Sequence, residues 1–126
     1  MLELCRLADI PDGGACGFAV EGPGFAQRLV VVRCGDAVHG YVNSCPHVPS
    51  RLDFTPGDFL DETGCLLQCQ GHGALFRFED GFCIDGPCEG QSLHPAPVRV
   101  ADGCVWLDRT GAALVDEISK VLSDLQ

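Results

Sequence analysis

The 126-residue sequence predicts an all-β fold, an antiparallel sandwich or barrel, followed by one C-terminal α-helix. Short apolar or alternating runs recur up to Leu107 and are typical of strands that bury one face. Glycine-containing turn signals separate the runs, among them Gly13-Gly14, Gly35-Asp36 and Asp102-Gly103. Chains of this length usually form one domain, so we expect residues 1–126 to share a single fold.

Each strand is assigned from an apolar or alternating run bounded by turn residues. The predicted strands, in order, are 2–7, 15–20, 26–34, 37–42, 58–61, 65–69, 74–78, 82–84, 93–100 and 104–107. Several of their apolar side chains are expected to form the core or edges of the sandwich. These are Leu29, Val31, Val38, Val98, Val100, Val105 and Trp106.

After Leu107 the spacing of the apolar residues changes from alternating to helical. They are Leu114, Ile118, Val121, Leu122 and Leu125, with the charged residues falling between them. This pattern predicts an amphipathic helix over about residues 112–125, with Thr110 as a candidate N-cap. We interpret it as a strut on the domain's own sheet, in preference to a partner-binding or dimer helix.

The composition is strongly acidic, with 18 acids against 8 bases and a net charge of −10. This charge argues against binding nucleic acid or an anionic membrane surface, because both need basic residues. Residues 1–15 lack the basic-then-apolar pattern of a signal peptide, and no apolar run is long enough to span a membrane. We therefore expect a cytoplasmic protein that does not enter the membrane.

Acidic residues also group in two turns, and two interpretations remain open. One is that they attract a basic docking partner; the other is that they are ordinary solvated turn residues. The groups are Asp58, Asp61 and Glu62, and Glu79, Asp80 and Asp85.

Two short motifs each combine one cysteine with one histidine: Cys45-Pro46-His47 and Cys69-Gln70-Gly71-His72. The four side chains resemble the ligand set of a Rieske 2Fe-2S cluster, in which two thiolates hold one iron and two imidazoles the other. With only two thiolates the oxidised cluster is formally neutral, so an added electron is accepted more readily. Rieske potentials accordingly lie at about −150 to +300 mV, against about −400 mV for plant-type ferredoxins.

The resemblance to Rieske ferredoxins extends from about residue 29 to about residue 107. Asn43-Ser44 before the first motif, Gly73-Ala74-Leu75-Phe76 after the second, Gly81 and Gly86-Pro87 follow the family pattern in order. The resemblance implies one cluster, bound by Cys45, His47, Cys69 and His72 in a subdomain of about residues 43–87, and a Gly-Pro loop that shields it. The spacer of residues 48–68 is longer than is usual in the family.

The same resemblance implies a one-electron carrier without catalytic residues. Its partners would be a flavin-dependent NAD(P)H reductase and a terminal oxygenase or other electron acceptor. A small Rieske subunit of a nitrite-reductase-like complex is an alternative with the same motifs. A zinc-stabilised interaction domain is another, although zinc sites usually pair Cys with Cys and His with His.

The residues around the motifs predict a potential at the low end of the Rieske range. High-potential relatives in cytochrome bc complexes place Ser and Tyr hydroxyls where this chain has Ala74 and Phe76. They also join the two ligand loops by a disulfide, at positions that correspond here to Ser50 and Gly71. Both features are missing from this sequence. Hydrogen bonds from outside the ligand set tune the reduction potential of a metal site, so we expect their absence to keep the potential low.

The remaining cysteines and histidines are interpreted as structural. Seven cysteines fall outside the motifs and are expected to be buried or half-buried free thiols, and a Cys83–Cys88 disulfide is not favoured. His39 and His94 have no partners at metal-ligand spacing, so we expect them to be ordinary sheet or loop residues.

Overall fold

A central antiparallel sheet separates two apolar cores. The computed structural model describes residues 1–46, 51–53, 58–71, 73–109 and 111–115. The strands in chain order are β1 (Leu2–Arg6), β2 (Ala15–Gly22), β3 (Phe25–Cys34), β4 (Ala37–Val42), β5 (Leu66–Gln68), β6 (Leu75–Arg77), β7 (Cys83–Asp85), β8 (Pro95–Ala96), β9 (Val98–Ala101), β10 (Cys104–Leu107) and β11 (Ala113–Val115). One turn of 3-10 helix spans Leu7–Asp9. The central sheet has the order β11-β2-β3-β4-β8.

Strand β3 explains why the central sheet has a core on each face. Its residues Leu29 to Val32 are all buried, and successive side chains of a strand point to opposite faces. Leu29 and Val31 accordingly belong to one core, and Val30 and Val32 belong to the other.

The first core lies between the central sheet and a three-stranded sheet of order β1-β10-β9. Leu4 of β1, Val105 and Leu107 of β10 and Ile10 pack there with Val20 and the inner residues of β3. Among the predicted core or edge residues, Leu29, Val31 and Val105 are buried, and Val38 and Val98 pack against the same cluster.

The second core lies under a three-stranded sheet of order β5-β6-β7. Leu67, Phe76 and Cys83 come from its three strands, and all are fully buried. Tyr41 of β4 ties this sheet to the central one, because its hydroxyl donates a 2.6 Å hydrogen bond to the Phe78 carbonyl. Gly81 makes room for the Tyr41 ring, since a Cβ there would lie 2.8 Å from it.

Two of the predicted strands differ in the structure. Residues 93–100 divide at Pro97: β8 pairs with β4, whereas β9 pairs with β10. Proline lacks the N–H that a continuous ladder needs, so the chain changes partner sheet there. The predicted strand 58–61 is reduced to one bridge between Leu60 and Leu67, because the side chain of Asp61 caps the following turn.

The predicted C-terminal helix is wrong at its start. Ala113, Leu114 and Val115 form β11 and pair antiparallel with β2. The edge of β2 offers unpaired backbone groups, and these outweigh the helical spacing of the side chains. Residues 116–125 and Thr110 lie outside the described residues, so the remainder of the helix stays a prediction.

Among the residues that the structure describes, no helix has the length and apolar character required to span a membrane.

Candidate metal centre

Two of the predicted ligands, Cys45 and Cys69, lie in the same buried cluster. Cys45 follows β4 and Cys69 follows β5, and their exposed fractions are 2% and 0%. Both are free thiols and share the second core with Ala74, Cys83 and Cys88. Two free thiols from separate loops in one buried cluster fit the thiolate half of a Rieske site.

The other two predicted ligands, His47 and His72, lie outside the described residues. No group of three or more metal-binding side chains occurs within the described ranges, which hold only the cysteine half of the predicted set. His39 lies half-buried in β4 opposite Val32, and the exposed His94 accepts a hydrogen bond from Val42 through its carbonyl. Both positions agree with the prediction of ordinary sheet and loop residues.

The second ligand loop is a tight turn closed by its own backbone. The Cys69 N–H donates to the Ala74 carbonyl at 2.9 Å, and the Gly73 N–H donates to the Cys69 carbonyl at 2.8 Å. Gly73 has a φ of +73°, which glycine adopts without the steric cost of a side chain. The turn therefore fixes the backbone of Cys69 and of the residues on either side of His72.

The first ligand loop is closed by the buried side chain of Asn43. Its Oδ1 accepts the Leu52 N–H at 2.7 Å, and its Nδ2 donates to Asp53 Oδ1 at 2.8 Å. Asp53 is 1% exposed and also accepts a two-pronged contact from Arg51, at 3.0 and 3.1 Å. These bonds join the two ends of the segment that carries Cys45.

The two ligand loops are also joined to each other. The Gln70 N–H, next to Cys69, donates to the Leu52 carbonyl at 3.0 Å. Leu52 therefore contacts the first loop through its N–H and the second through its carbonyl. Gln70 adds a side-chain hydrogen bond to Asp58 at 2.9 Å.

The Gly86-Pro87 loop packs directly against the second ligand loop. Gly86 has a φ of +105°, and a Cβ on it would lie 2.7 Å from the Ala74 Cα. That distance is too short for any other residue, so glycine allows the close approach. The contact agrees with the shielding role that the family resemblance implies.

Two further thiols lie in the same buried cluster as the predicted ligands Cys45 and Cys69. The Sγ atoms of Cys88 and Cys83 are 3.2 Å apart, and the Cys83 thiol donates to the Asp85 carbonyl at 3.2 Å. Burial, followed by the contact with Cys83, raises the pKa of Cys88 to about 12. The sequence motifs did not reveal this grouping of thiols.

None of the nine cysteines forms a disulfide, which agrees with the prediction for the seven outside the motifs. Five of the seven outside the motifs are buried or half-buried, but Cys34 and Cys65 are exposed. These two lie where the chain turns, Cys34 at the end of β3 and Cys65 in the turn capped by Asp61.

The family follows from the whole pattern of the chain. A model of the Rieske [2Fe-2S] domain matches residues 1–104. The chain belongs to this family. A Rieske domain binds one 2Fe-2S cluster and transfers single electrons. The family assignment therefore excludes the alternative of a zinc-stabilised interaction domain.

Solved structures show the same fold in ferredoxins. The Sphingomonas yanoikuyae B1 ferredoxin is 28% identical, with a TM-score of 0.64, covering 86% of this chain and 97% of that one. A chain of the complex of reduced oxygenase and oxidized ferredoxin in carbazole 1,9a-dioxygenase is 26% identical, with a TM-score of 0.63, covering 84% and 90%.

A chain of a second, reduced complex of that system is 23% identical and has a TM-score of 0.66. The match covers 83% of this chain and only 27% of the other, and it shows the fold alone. No curated protein matches the sequence.

Proposed function

We propose that this Rieske protein is a ferredoxin that carries single electrons from a flavin-dependent NAD(P)H reductase to a terminal oxygenase or similar acceptor. The observation that carries the proposal is the pair of buried thiols, Cys45 and Cys69, in one cluster with Ala74, on which Gly86 packs. The similarity to a chain of a ferredoxin–oxygenase complex supports the choice of acceptor.

In the proposed site, Cys45 and Cys69 would hold one iron, and His47 and His72 would hold the other. A cluster held there would supply reversible one-electron chemistry. The protein's own contribution is to fix the two ligand loops through Asn43 and Leu52 and to bury the Cys45 and Cys69 side chains. With every ligand position filled, no open position remains for a substrate, so we assign no catalytic residue.

We also propose a cytoplasmic location. All nine cysteines are free, including the exposed Cys34 and Cys65, and free thiols persist in reducing compartments. Fractionation of the producing cells tests this location.

Docking to a basic partner is favoured by the net charge of −10. Most residues of the two acidic groups also have local bonds: Asp61 caps its turn, Asp80 pairs with Arg77, and Asp85 accepts the Gly86 N–H. These bonds support their interpretation as turn residues. Their charges still add to the overall field, so the docking proposal rests on the sum of the charges.

The experiment is stopped-flow mixing of the reduced protein with an oxidised Rieske oxygenase at increasing salt. We expect the second-order rate to fall as salt rises, because exposed charges are screened beyond about 8 Å at physiological ionic strength. Glu89→Gln, one residue beyond Cys88, is expected to slow transfer more than Glu3→Gln on β1. A rate that does not change with salt, with equal rates for both variants, would show that charge does not guide docking.

A further inference from the structure

Two free thiols, those of Cys83 and Cys88, lie side by side in the second core, with their Sγ atoms 3.2 Å apart. A disulfide bond has a length of about 2.05 Å, so the two sulfurs need to approach by only about 1 Å to form one. The exposed fractions of Cys83 and Cys88 are 0% and 1%, whereas Ile84, Asp85 and Pro87 between them are exposed. Both sulfurs are therefore buried, although most residues of the segment that joins them face the solvent.

Backbone hydrogen bonds hold the two cysteines next to each other. The Gln91 N–H donates to the Cys88 carbonyl at 2.9 Å, and the Gln91 carbonyl accepts the Cys83 N–H at 2.8 Å. The Gly90 N–H adds a bond to the Cys83 carbonyl at 3.3 Å. Two groups held together in this way react with each other faster than with a second molecule. The arrangement therefore favours a bond within the chain.

The hydrogen bonds of the two thiols give them different roles. The Cys88 thiol donates to the Cys83 sulfur, and the Cys83 thiol donates to the Asp85 carbonyl at 3.2 Å. A hydrogen bond donated to a sulfur favours its thiolate, which is the nucleophilic form. Burial, followed by the hydrogen bond with Cys83, raises the pKa of Cys88 to about 12, so Cys88 keeps its proton. Cys83 is thus the thiol suited to attack an oxidant, and Cys88 is suited to react with the product.

We propose that Cys83 and Cys88 form a redox-modification site, at which hydrogen peroxide converts the two thiols into a reversible disulfide. The Cys83 sulfur attacks one peroxide oxygen and the O–O bond breaks, which gives a sulfenic acid and one water. The Cys88 sulfur then attacks the sulfenic sulfur, the S–S bond forms, and the hydroxyl group leaves with the Cys88 proton as a second water. The two sulfurs lose two electrons and the peroxide gains them. A dithiol reductant reverses the reaction by exchange and is itself oxidised to a disulfide.

The burial of the pair selects a small oxidant. Hydrogen peroxide is little larger than water, whereas glutathione disulfide must bring its own S–S bond into line with the attacking sulfur. The exposed thiols of Cys34 and Cys65 are open to both oxidants, and the buried sulfur of Cys83 is not. The two oxidants should therefore modify different cysteines of the folded protein.

The disulfide closes a covalent ring over residues 83–88, which include the Gly86-Pro87 loop. Gly86 packs on Ala74, and the Ala74 carbonyl accepts the Cys69 N–H. A covalent ring restricts the conformations through which the loop can open, so the disulfide should slow loss of the cluster. This consequence rests on the proposed assignment of Cys69 as a ligand, whereas formation of the disulfide does not.

Peptide mass mapping of the anaerobically purified, cluster-containing protein tests the site. The tryptic peptide of residues 78–99 contains Cys83 and Cys88 and no other cysteine. After peroxide treatment, acid quenching and alkylation, we expect this peptide to carry no alkyl group and to be lighter than the reduced peptide by two hydrogens. Dithiothreitol should restore alkylation at both cysteines. Glutathione disulfide should modify Cys34 and Cys65 and leave residues 78–99 reduced.

The mapping needs no substituted protein, so it decides the proposal even where a variant does not fold. The disulfide should appear while the visible absorption of the cluster is still present. Its absence, its appearance only after the cluster is lost, or its formation to the same extent with glutathione disulfide would overturn the inference.

Iron release to a chelator tests the effect on the loop. We expect release to be at least about threefold slower in the disulfide form of the wild type than in its reduced form. Cys83→Ala and Cys88→Ala should release iron at the same rate with and without peroxide treatment. Cys16→Ala, which removes a thiol packed against the other core, is the control and should behave as the wild type does.

Comparing two forms of each protein separates the disulfide from any effect of a substitution on packing. Equal release from the two wild-type forms would refute the effect on the loop. Iron analysis of Cys69→Ala separates the two levels of the account. Two retained irons would refute the ligand assignment, whereas lost iron without a disulfide in the wild type would refute only the modification site.

Discussion

The side-chain amide of Asn43 and the carboxylate of Asp53 form a buried 2.8 Å hydrogen bond across the segment that carries Cys45. Asn43 also accepts the Leu52 N–H, and the Leu52 carbonyl accepts the Gln70 N–H beside Cys69. High-potential Rieske proteins join their ligand loops by a disulfide at positions that correspond to Ser50 and Gly71. In this chain, hydrogen bonds through Leu52 join the same two loops.

Asn43→Ala is expected to destabilise the protein and to loosen the first ligand loop. It removes the acceptor of the Leu52 N–H and one donor to Asp53, and a buried polar group left unpaired costs about 1–3 kcal/mol. Thermal unfolding and the rate of cluster loss measure the effect. Gln91→Ala, which removes an exposed amide side chain, is the control and should change stability by less than about 0.5 kcal/mol. Equal stability of the two variants would contradict a role for this hydrogen bond.

The reduction potential is expected to lie near about −150 mV, at the low end of the Rieske range. Ala74 and Phe76 are fully buried and have no hydroxyl that could reach the sulfurs. The double change Ala74→Ser with Phe76→Tyr should therefore raise the potential, and Phe18→Tyr, packed against the other core, should not. Voltammetry measures all three proteins. A wild-type midpoint at the positive end of the range would show that backbone donors or burial outweigh the missing hydroxyls.

Alkaline unfolding should depend on Tyr41. Burial, followed by the charges of Asp80 and Glu79, raises the pKa of Tyr41 to about 12, against about 10 for tyrosine in an unfolded chain. The folded state holds this proton more tightly, so the stabilisation is complete below about pH 10 and is lost as pH rises toward about 12.

Tyr41→Phe removes the hydrogen bond to Phe78 and should cost about 1 kcal/mol at neutral pH. It should also lose less stability than the wild type above about pH 10, because the tyrosine no longer titrates. Thermal unfolding followed by circular dichroism at several pH values checks this. The buried thiols titrate in both proteins, so only the difference between them reports on Tyr41. The same alkaline slope in both would refute the assignment.

Two of the four histidines should be required for cluster binding, and the other two should not. His47→Ala and His72→Ala are expected to abolish the cluster, since each removes an iron ligand. His39→Ala and His94→Ala should leave it intact, because these residues lie in β4 and in an exposed loop position. Iron content and the visible spectrum of the four purified variants measure the outcome. The ligand assignment would be contradicted if His47→Ala or His72→Ala kept the cluster while His39→Ala lost it.

Local patterns in the sequence account for most of the fold. Alternating runs and glycine turns predict β1 to β4 and β10 closely, because they depend on neighbouring residues alone. β11 was missed because its pairing depends on the edge of β2, which exists only once the sheet has formed. The division at Pro97 could have been predicted, because a proline inside a predicted strand indicates an interruption.

Only part of the candidate site could likewise be predicted from the sequence. The two motifs identified Cys45 and Cys69, which the structure places in one buried cluster. The place of Cys88 in the same buried cluster as Cys45 was missed because it brings together residues far apart in the chain and follows no motif. The partnership of Asn43 with Asp53 was missed for the same reason. One signal was present for Cys88: it directly follows the Gly86-Pro87 pair of the shielding loop.

The central claim is that Cys45, Cys69, His47 and His72 bind one Rieske cluster. Its most direct test is metal and sulfide analysis of the anaerobically purified protein, combined with electron-nuclear double resonance of the reduced state after 15N-histidine labelling. The account predicts two irons and two sulfides per chain and nitrogen couplings from two histidines, both lost in His47→Ala and His72→Ala. One zinc without iron, or a cluster without histidine couplings, would contradict it.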